Sequence, residues 1–236
     1  MQYFAIATNH LRSVQACILV VLFAAAGIHA NAEVVIEDAF NRTGPLAKSP
    51  PAPVNGPGAI WACNAAAGGA LGIFTENGAL KISNLNEFAS LPFTFLYVPQ
   101  NYLISLSANI TLSTGKGKSW IGFGFAGDNR LFRAGTAWLR LCTNGKSELV
   151  KGPGYASCPK IQVPVTLTAD KPAKIEITFN TGTNTATFIV NGEKLGVFSY
   201  NETPPVDRIF LSTSTDSDDV LNGMLQNLKL EVSPIR

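Results

Sequence analysis

Histidine is almost missing from this sequence: its 236 residues hold two, His10 and His29. Charge is scarce as well. Only 14% of residues are charged, and 18 Lys+Arg against 16 Asp+Glu give a formal net charge of +2. That near balance removes the basic footprint of a nucleic-acid binder. The 46% hydrophobic content likewise removes the high-charge, low-hydrophobicity signature of a disordered chain. Cysteine is limited to four residues, Cys17, Cys63, Cys142 and Cys158. None is spaced C-x-x-C, so the sequence gives no thiolate metal site. Long apolar runs are restricted to one, Val14 to Ile28, which is shorter than the roughly 20 residues that span a bilayer.

That run lies between Arg12 and Ala30-Asn31-Ala32. A basic residue, an apolar core and a small-x-small site in this order predict a secretory signal peptide over residues 1–32. The mature chain, residues 33–236, is then an exported domain, extracellular or periplasmic, with no membrane span after cleavage. Cys17 precedes most of the apolar run, which is the wrong place for a lipoprotein cysteine. Both histidines leave with the leader. A mature chain without histidine cannot run a Ser-His-Asp or Cys-His mechanism and cannot build a histidine zinc site. In an oxidising compartment Cys142 and Cys158 are expected to close the segment between them as a disulfide. Closing a loop of about 15 residues contributes roughly 3 kcal/mol by chain entropy. Cys63 is then the odd one, unless it pairs with one of the other two.

From Glu33 onward the apolar pattern has period two. Ile104 to Leu112 alternates strictly, with Ile104, Leu106, Ala108, Ile110 and Leu112 on one face and Ser105, Ser107, Asn109 and Thr111 on the other. Lys174 to Asn180, Thr185 to Val190 and Leu225 to Val232 repeat the device. Asn191-Gly192 supplies the positive φ that a two-residue type I′ hairpin turn needs. Strict pairing then sets Val190 opposite Glu193, Phe188 opposite Leu195 and Ala186 opposite Val197. Further strands are expected at Val34 to Phe40, Leu80 to Ser83, Trp120 to Ala126, Ala137 to Cys142, Ile161 to Thr168 and Arg208 to Thr213. No helical period interrupts them. Ten or more short strands separated by turn residues predict an all-β antiparallel sandwich. The Pro/Gly-rich stretch 44–58 reads as a surface loop of that one domain.

These residues carry a likeness. The opening Glu37 to Leu46, with Asp38, Phe40 and Arg42 alternating, resembles the start of bacterial exported domains of the concanavalin A-like (laminin-G-like) jelly-roll class. Trp61, Leu80-Lys81-Ile82, Trp120 to Phe125, Ala137 to Leu141, Val190-Asn191-Gly192 and Leu228 to Glu231 resemble its later strands. The resemblance implies a jelly roll of two curved antiparallel sheets, with the first and last strands paired and a polysaccharide held on the concave sheet. Lectins, binding modules, hydrolases, lyases and adhesive domains share that class, so fold does not choose function.

A glycosidase needs two carboxylates flanking the bond, and the E-x-D-x-x-E string of the laminarinase-type branch is missing. Glu37 and Asp38 are adjacent and point to opposite faces. A pair from different strands, such as Glu76 with Glu148, stays open, as does a lyase using Tyr and Lys or Arg. No catalytic residue is assigned. Sugar binding asks for an aromatic face beside planar polar groups. Alternation sets Trp138 and Arg140 opposite Ala137, Leu139 and Leu141, so this pair is the expected ligand site, joined by Tyr155 and by Trp120 beside the strip Gly122 and Gly124. Asp216, Asp218 and Asp219 form the acidic cluster suited to calcium, without the D-x-D-x-D-G string of an EF-hand. Calcium is therefore the single cofactor raised, against a solvated loop. The expected partner is a glycan or cell-surface polysaccharide bound without catalysis. A hydrolase or lyase of the same fold and a structural or adhesive surface protein remain alternatives.

Overall fold

The computed structural model describes residues 31–65, 73–83, 87–93, 101–113, 115–116, 118–127, 135–152, 160–163, 167, 171–214, 218 and 221–235. The leader thus lies outside the described residues up to position 30. No described residue is helical, and residues 32–236 form one compact unit.

The strands in chain order are β1 (Glu33–Asp38), β2 (Gly44–Pro45), β3 (Pro53–Val54), β4 (Ala62–Ala65), β5 (Ile73–Glu76), β6 (Ala79–Ser83), β7 (Glu87–Pro92), β8 (Tyr102–Leu112) and β9 (Trp120–Ala126). They continue as β10 (Gly135–Cys142), β11 (Ser147–Lys151), β12 (Lys160–Val163), β13 (Ala173–Asn180), β14 (Thr185–Val190), β15 (Glu193–Ser199), β16 (Arg208–Ser214) and β17 (Asn222–Pro234). One sheet has ten strands in the order β15-β14-β13-β8-β17-β6-β5-β2, with β1 on β17 and β3 on β1. The other has seven, β12-β11-β10-β9-β16-β7-β4, and every pairing is antiparallel. The first and last strands pair, Glu33 opposite Val232 and Ile36 opposite Leu230.

The inner faces of the two sheets meet in one core. Leu106, Ile110, Ile175, Ile177, Leu228 and Leu230 come from the ten-stranded sheet, and Ile121, Phe123, Phe125, Leu139, Leu141 and Leu211 from the seven-stranded one, all within 3% of full burial. Alternation in β8, β13 and β14 is as the sequence predicts. The Asn191-Gly192 turn has φ of 51° and 85°, and Val190 does face Glu193. Beyond that pair the expected register fails. A shift between Phe188 and Ile189 sets Phe188 opposite Gly196 and Ala186 opposite Phe198. The extra residue sends Phe198 inward, T-shaped on Phe188 at 5.7 Å, and leaves Val197 37% exposed. Gly196 lies close under the facing sheet: a Cβ on it would fall 2.6 Å from Leu149 Cδ1, the movable end of that side chain.

The 44–58 stretch is ordered and contributes the two short strands β2 and β3. It is tied to β1 by the pairing of β3 with β1 and by the Ala39 amide, which donates to the Ala52 carbonyl at 2.7 Å. Beside it Asp38 is fully buried at the end of β1. Arg42 grips the carboxylate with both terminal nitrogens at 2.7 and 2.8 Å, Trp61 Nε1 donates to it at 2.9 Å, and the Phe40 amide donates at 3.0 Å. A buried charge is tolerated only when paired and hydrogen-bonded in this way. Phe40 takes φ of 53° to close the arrangement.

Candidate functional site

The seven-stranded sheet turns a second face away from the core. Cross-strand register lines its residues in rows. One row runs Gln162, Glu148, Arg140, Gly122, Ser212, Phe88 across β12, β11, β10, β9, β16 and β7. The next runs Lys160, Val150, Trp138, Gly124, Phe210, Ser90. Trp138 and Arg140 therefore stand on the face opposite Ala137, Leu139 and Leu141.

This face is not the wet strip that alternation suggests. Trp138 is fully buried and Trp120 is 6% exposed. Together with Val150, Phe210, Cys142 and Ala126 they form an apolar cluster separate from the main core, with Phe88 against it. The indoles sit 5.8 Å apart, and Trp138 meets Phe210 edge-on at 5.5 Å. The two glycines explain the burial. A Cβ on Gly122 would fall 2.8 Å from Trp138 Cζ3, and one on Gly124 would fall 2.6 Å from Trp138 Cα. The hollow left by Gly122 and Gly124 is thus filled by the protein's own tryptophan. Trp138 offers no open aromatic platform in this structure.

Arg140 is held at the border of that cluster. Its guanidinium lies 5.8 Å from the Trp120 ring centre, and Nη2 is 3.0 Å from Glu148 Oε1. The two side chains are 16% and 12% exposed, an intermediate depth at which a charge pair retains strength and still meets solvent. Gln162, the next residue of the row, is exposed. A guanidinium, a carboxylate and an amide thus follow one another across three strands, with the buried Trp120 ring under the guanidinium. The sequence reading offers Arg140 as a binding residue and Glu148 only as a carboxylate paired with Glu76, and it puts Gln162 in the strand expected from Ile161. What it lacks is β11 as a strand, which brings the three into one row. The short alternation of Glu148, Leu149 and Val150 was the available signal.

Cys142 pairs across the strands with Trp120. It is a free, buried thiol, so the disulfide to Cys158 expected from the sequence is not formed in this structure. Cys142 packs instead within the aromatic cluster. Burial pushes the thiol pKa up; the nearby Arg140 charge pulls it down and the Glu148 charge raises it again. Cys158 and Tyr155 lie outside the described residues, as do Asp216 and Asp219. Asp218 is 61% exposed and faces Lys118 at 3.3 Å. Among the described residues no group of three His, Cys, Asp or Glu is arranged for a metal ion. Glu76 and Glu148, raised above as a possible carboxylate pair, belong to different sheets, β5 and β11. Glu76 is ion-paired with Lys81.

No family model matches the sequence, and no curated protein matches it. Solved structures do match the fold. The chain is similar to the endo-1,3-beta-glucanase from Streptomyces sioyaensis, with a TM-score of 0.60 and 12% identity over 86% of this chain and 97% of that one. It is similar to the endo-beta-1,3-glucanase from Pyrococcus furiosus, with a TM-score of 0.60 and 11% identity over 88% and 97%. It is also similar to the Emp47p carbohydrate recognition domain, with a TM-score of 0.57 and 12% identity over 85% and 98%.

Proposed function

The concanavalin A-like jelly roll, the fold that this chain shares with two glucanases and a carbohydrate recognition domain, is the premise from which we propose that it is a glycan-binding domain without catalysis. The site we propose is the row Arg140, Glu148 and Gln162 on the outward face of the seven-stranded sheet. One observation carries the choice of binding over hydrolysis. The central strands β9, β10 and β16 contain no Asp or Glu in their sequences. The described outward face therefore has Glu148 on β11, already engaged by Arg140, and no second carboxylate on a neighbouring central strand. A glycosidase needs one protonated and one ionised carboxyl about 5 to 9 Å apart. What the row does offer is a set of planar hydrogen-bonding groups, which orient a sugar ring by its hydroxyls. The apolar run and small-x-small site of residues 1–32 support placing the mature domain outside the cell.

A glycan array probed with the mature chain tests this. Retention of at least one polysaccharide is expected, weakened about fivefold by Gln162→Ala, the loss of one neutral hydrogen bond. Gln162 is exposed, so its removal does not disturb the core. Retention unchanged by Gln162→Ala and by Arg140→Ala would move the site elsewhere; no retention at all would favour the adhesive reading.

A further inference from the structure

Resting on that glycan-binding reading, we infer that the site takes uncharged polysaccharides and that Glu148 is the residue that excludes acidic ones. A groove for a polyuronate presents cations with no carboxylate of their own, because each uronate must find a guanidinium or ammonium to replace its water. The outward face here is arranged the other way. Arg140 has Glu148 at 3.0 Å, and Arg208, on the same face of β16, has Asp207 at 3.7 Å. Glu148 stands in the same row as Arg140 and Gln162, one strand from each. A carboxylate brought to Arg140 therefore meets the Glu148 charge at the same moment. At an exposure of 12% that repulsion is screened less than on open surface. A neutral sugar hydroxyl meets no such opposition. It accepts from the guanidinium or the Gln162 amide and donates to Glu148, so the same pair that repels a uronate serves a hexose. Specificity then lies in the repulsive partner as much as in the attractive ones.

The experiment is affinity electrophoresis of the mature chain in gels carrying laminarin, mannan, alginate or polygalacturonate, at low and at physiological salt. The wild-type chain is expected to be retarded by a neutral polysaccharide, equally at both salt levels, and to ignore both polyuronates. Glu148→Gln, which keeps shape and removes the charge, is expected to gain polyuronate retardation of about tenfold or more, the worth of a hydrogen bond to a charged group, and to lose it as salt rises. Salt-sensitive binding of the wild-type chain to a polyuronate would overturn the inference while leaving the glycan reading intact. A folded Glu148→Gln that gains nothing would overturn the role of Glu148. If that variant does not fold, Glu148→Ala takes its place, and the wild-type arm decides the charge preference by itself. Failure to bind any of the four polymers or any array glycan would overturn the glycan reading itself.

Discussion

Replacing Asp38 by alanine removes the acceptor for four hydrogen bonds at once: two from Arg42 at 2.7 and 2.8 Å, one from Trp61 Nε1 at 2.9 Å and one from the Phe40 amide at 3.0 Å. Asp38 is fully buried and Trp61 is 2% exposed, so water does not easily replace the carboxylate there. Arg42 is 23% exposed and recovers part of its hydration. Breaking a buried pair by deleting one partner costs about 3–5 kcal/mol, and the partial exposure of Arg42 argues for the lower half of that range. For a domain of this size each kcal/mol lowers Tm by about 2–4 °C, which gives a fall of about 6–16 °C. Urea and thermal unfolding followed by tryptophan fluorescence read this directly, since Trp61 itself is a member of the network. Asp38→Asn is the control: it keeps the shape but turns an amide donor toward donors, so it too should lose more than 2 kcal/mol. Adding Arg42→Met to Asp38→Ala should cost less than the sum of the two single changes, because each removes the same contacts. A loss under about 1 kcal/mol for Asp38→Ala would refute the view that this network holds Arg42 and Trp61 to the end of β1.

Glycine substitutions separate two kinds of close approach. Gly124→Ala drives a methyl group into the backbone of β10 at Ala137 and Trp138, and should cost more than about 3 kcal/mol or prevent folding, whereas Gly196→Ala meets only the movable Leu149 Cδ1 and should cost about 1–2 kcal/mol by denaturant titration. Equal costs would contradict the packing described. Cys142 carries a pH dependence whose sign follows from its raised pKa. Its contribution to stability is whole below the thiol's unfolded pKa, about 8.5, and shrinks as pH climbs toward the higher folded value, because the unfolded state ionises first. Unfolding curves between about pH 8 and 10 should therefore fall more steeply for the wild-type chain than for Cys142→Ala; parallel curves would contradict it.

The strand pattern was largely legible because burial on one face writes itself as alternation: β8, β13 and β14 show it almost residue by residue. Two classes of feature were not. The bulge in β15 has Gly196 as its one local mark, a residue that fits a bend as well as a bulge, so the register through Phe198 could not be read from Val190 onward. Trp138 and Arg140 fall on the face that alternation gives them, yet the nature of that face depends on Gly122 and Gly124, their direct partners on the neighbouring strand β9, which let the indole lie down and be buried. Alternation tells which side a residue takes. It does not tell whether that side is wet. The place of Glu148 beside Arg140 was hidden for a related reason, since β11 is five residues long and its membership of the sheet comes from pairing with β10 and β12, not from its own sequence.

The claim that this face binds glycan without cleaving it is tested most directly by measuring reducing ends released from whichever polysaccharide the protein retains. The structure, with Glu148 engaged by Arg140 and no carboxylate on β9, β10 or β16, predicts stable retention with no release above the rate of buffer alone. Release that disappears on Glu148→Gln would contradict it and make Glu148 a catalytic carboxylate.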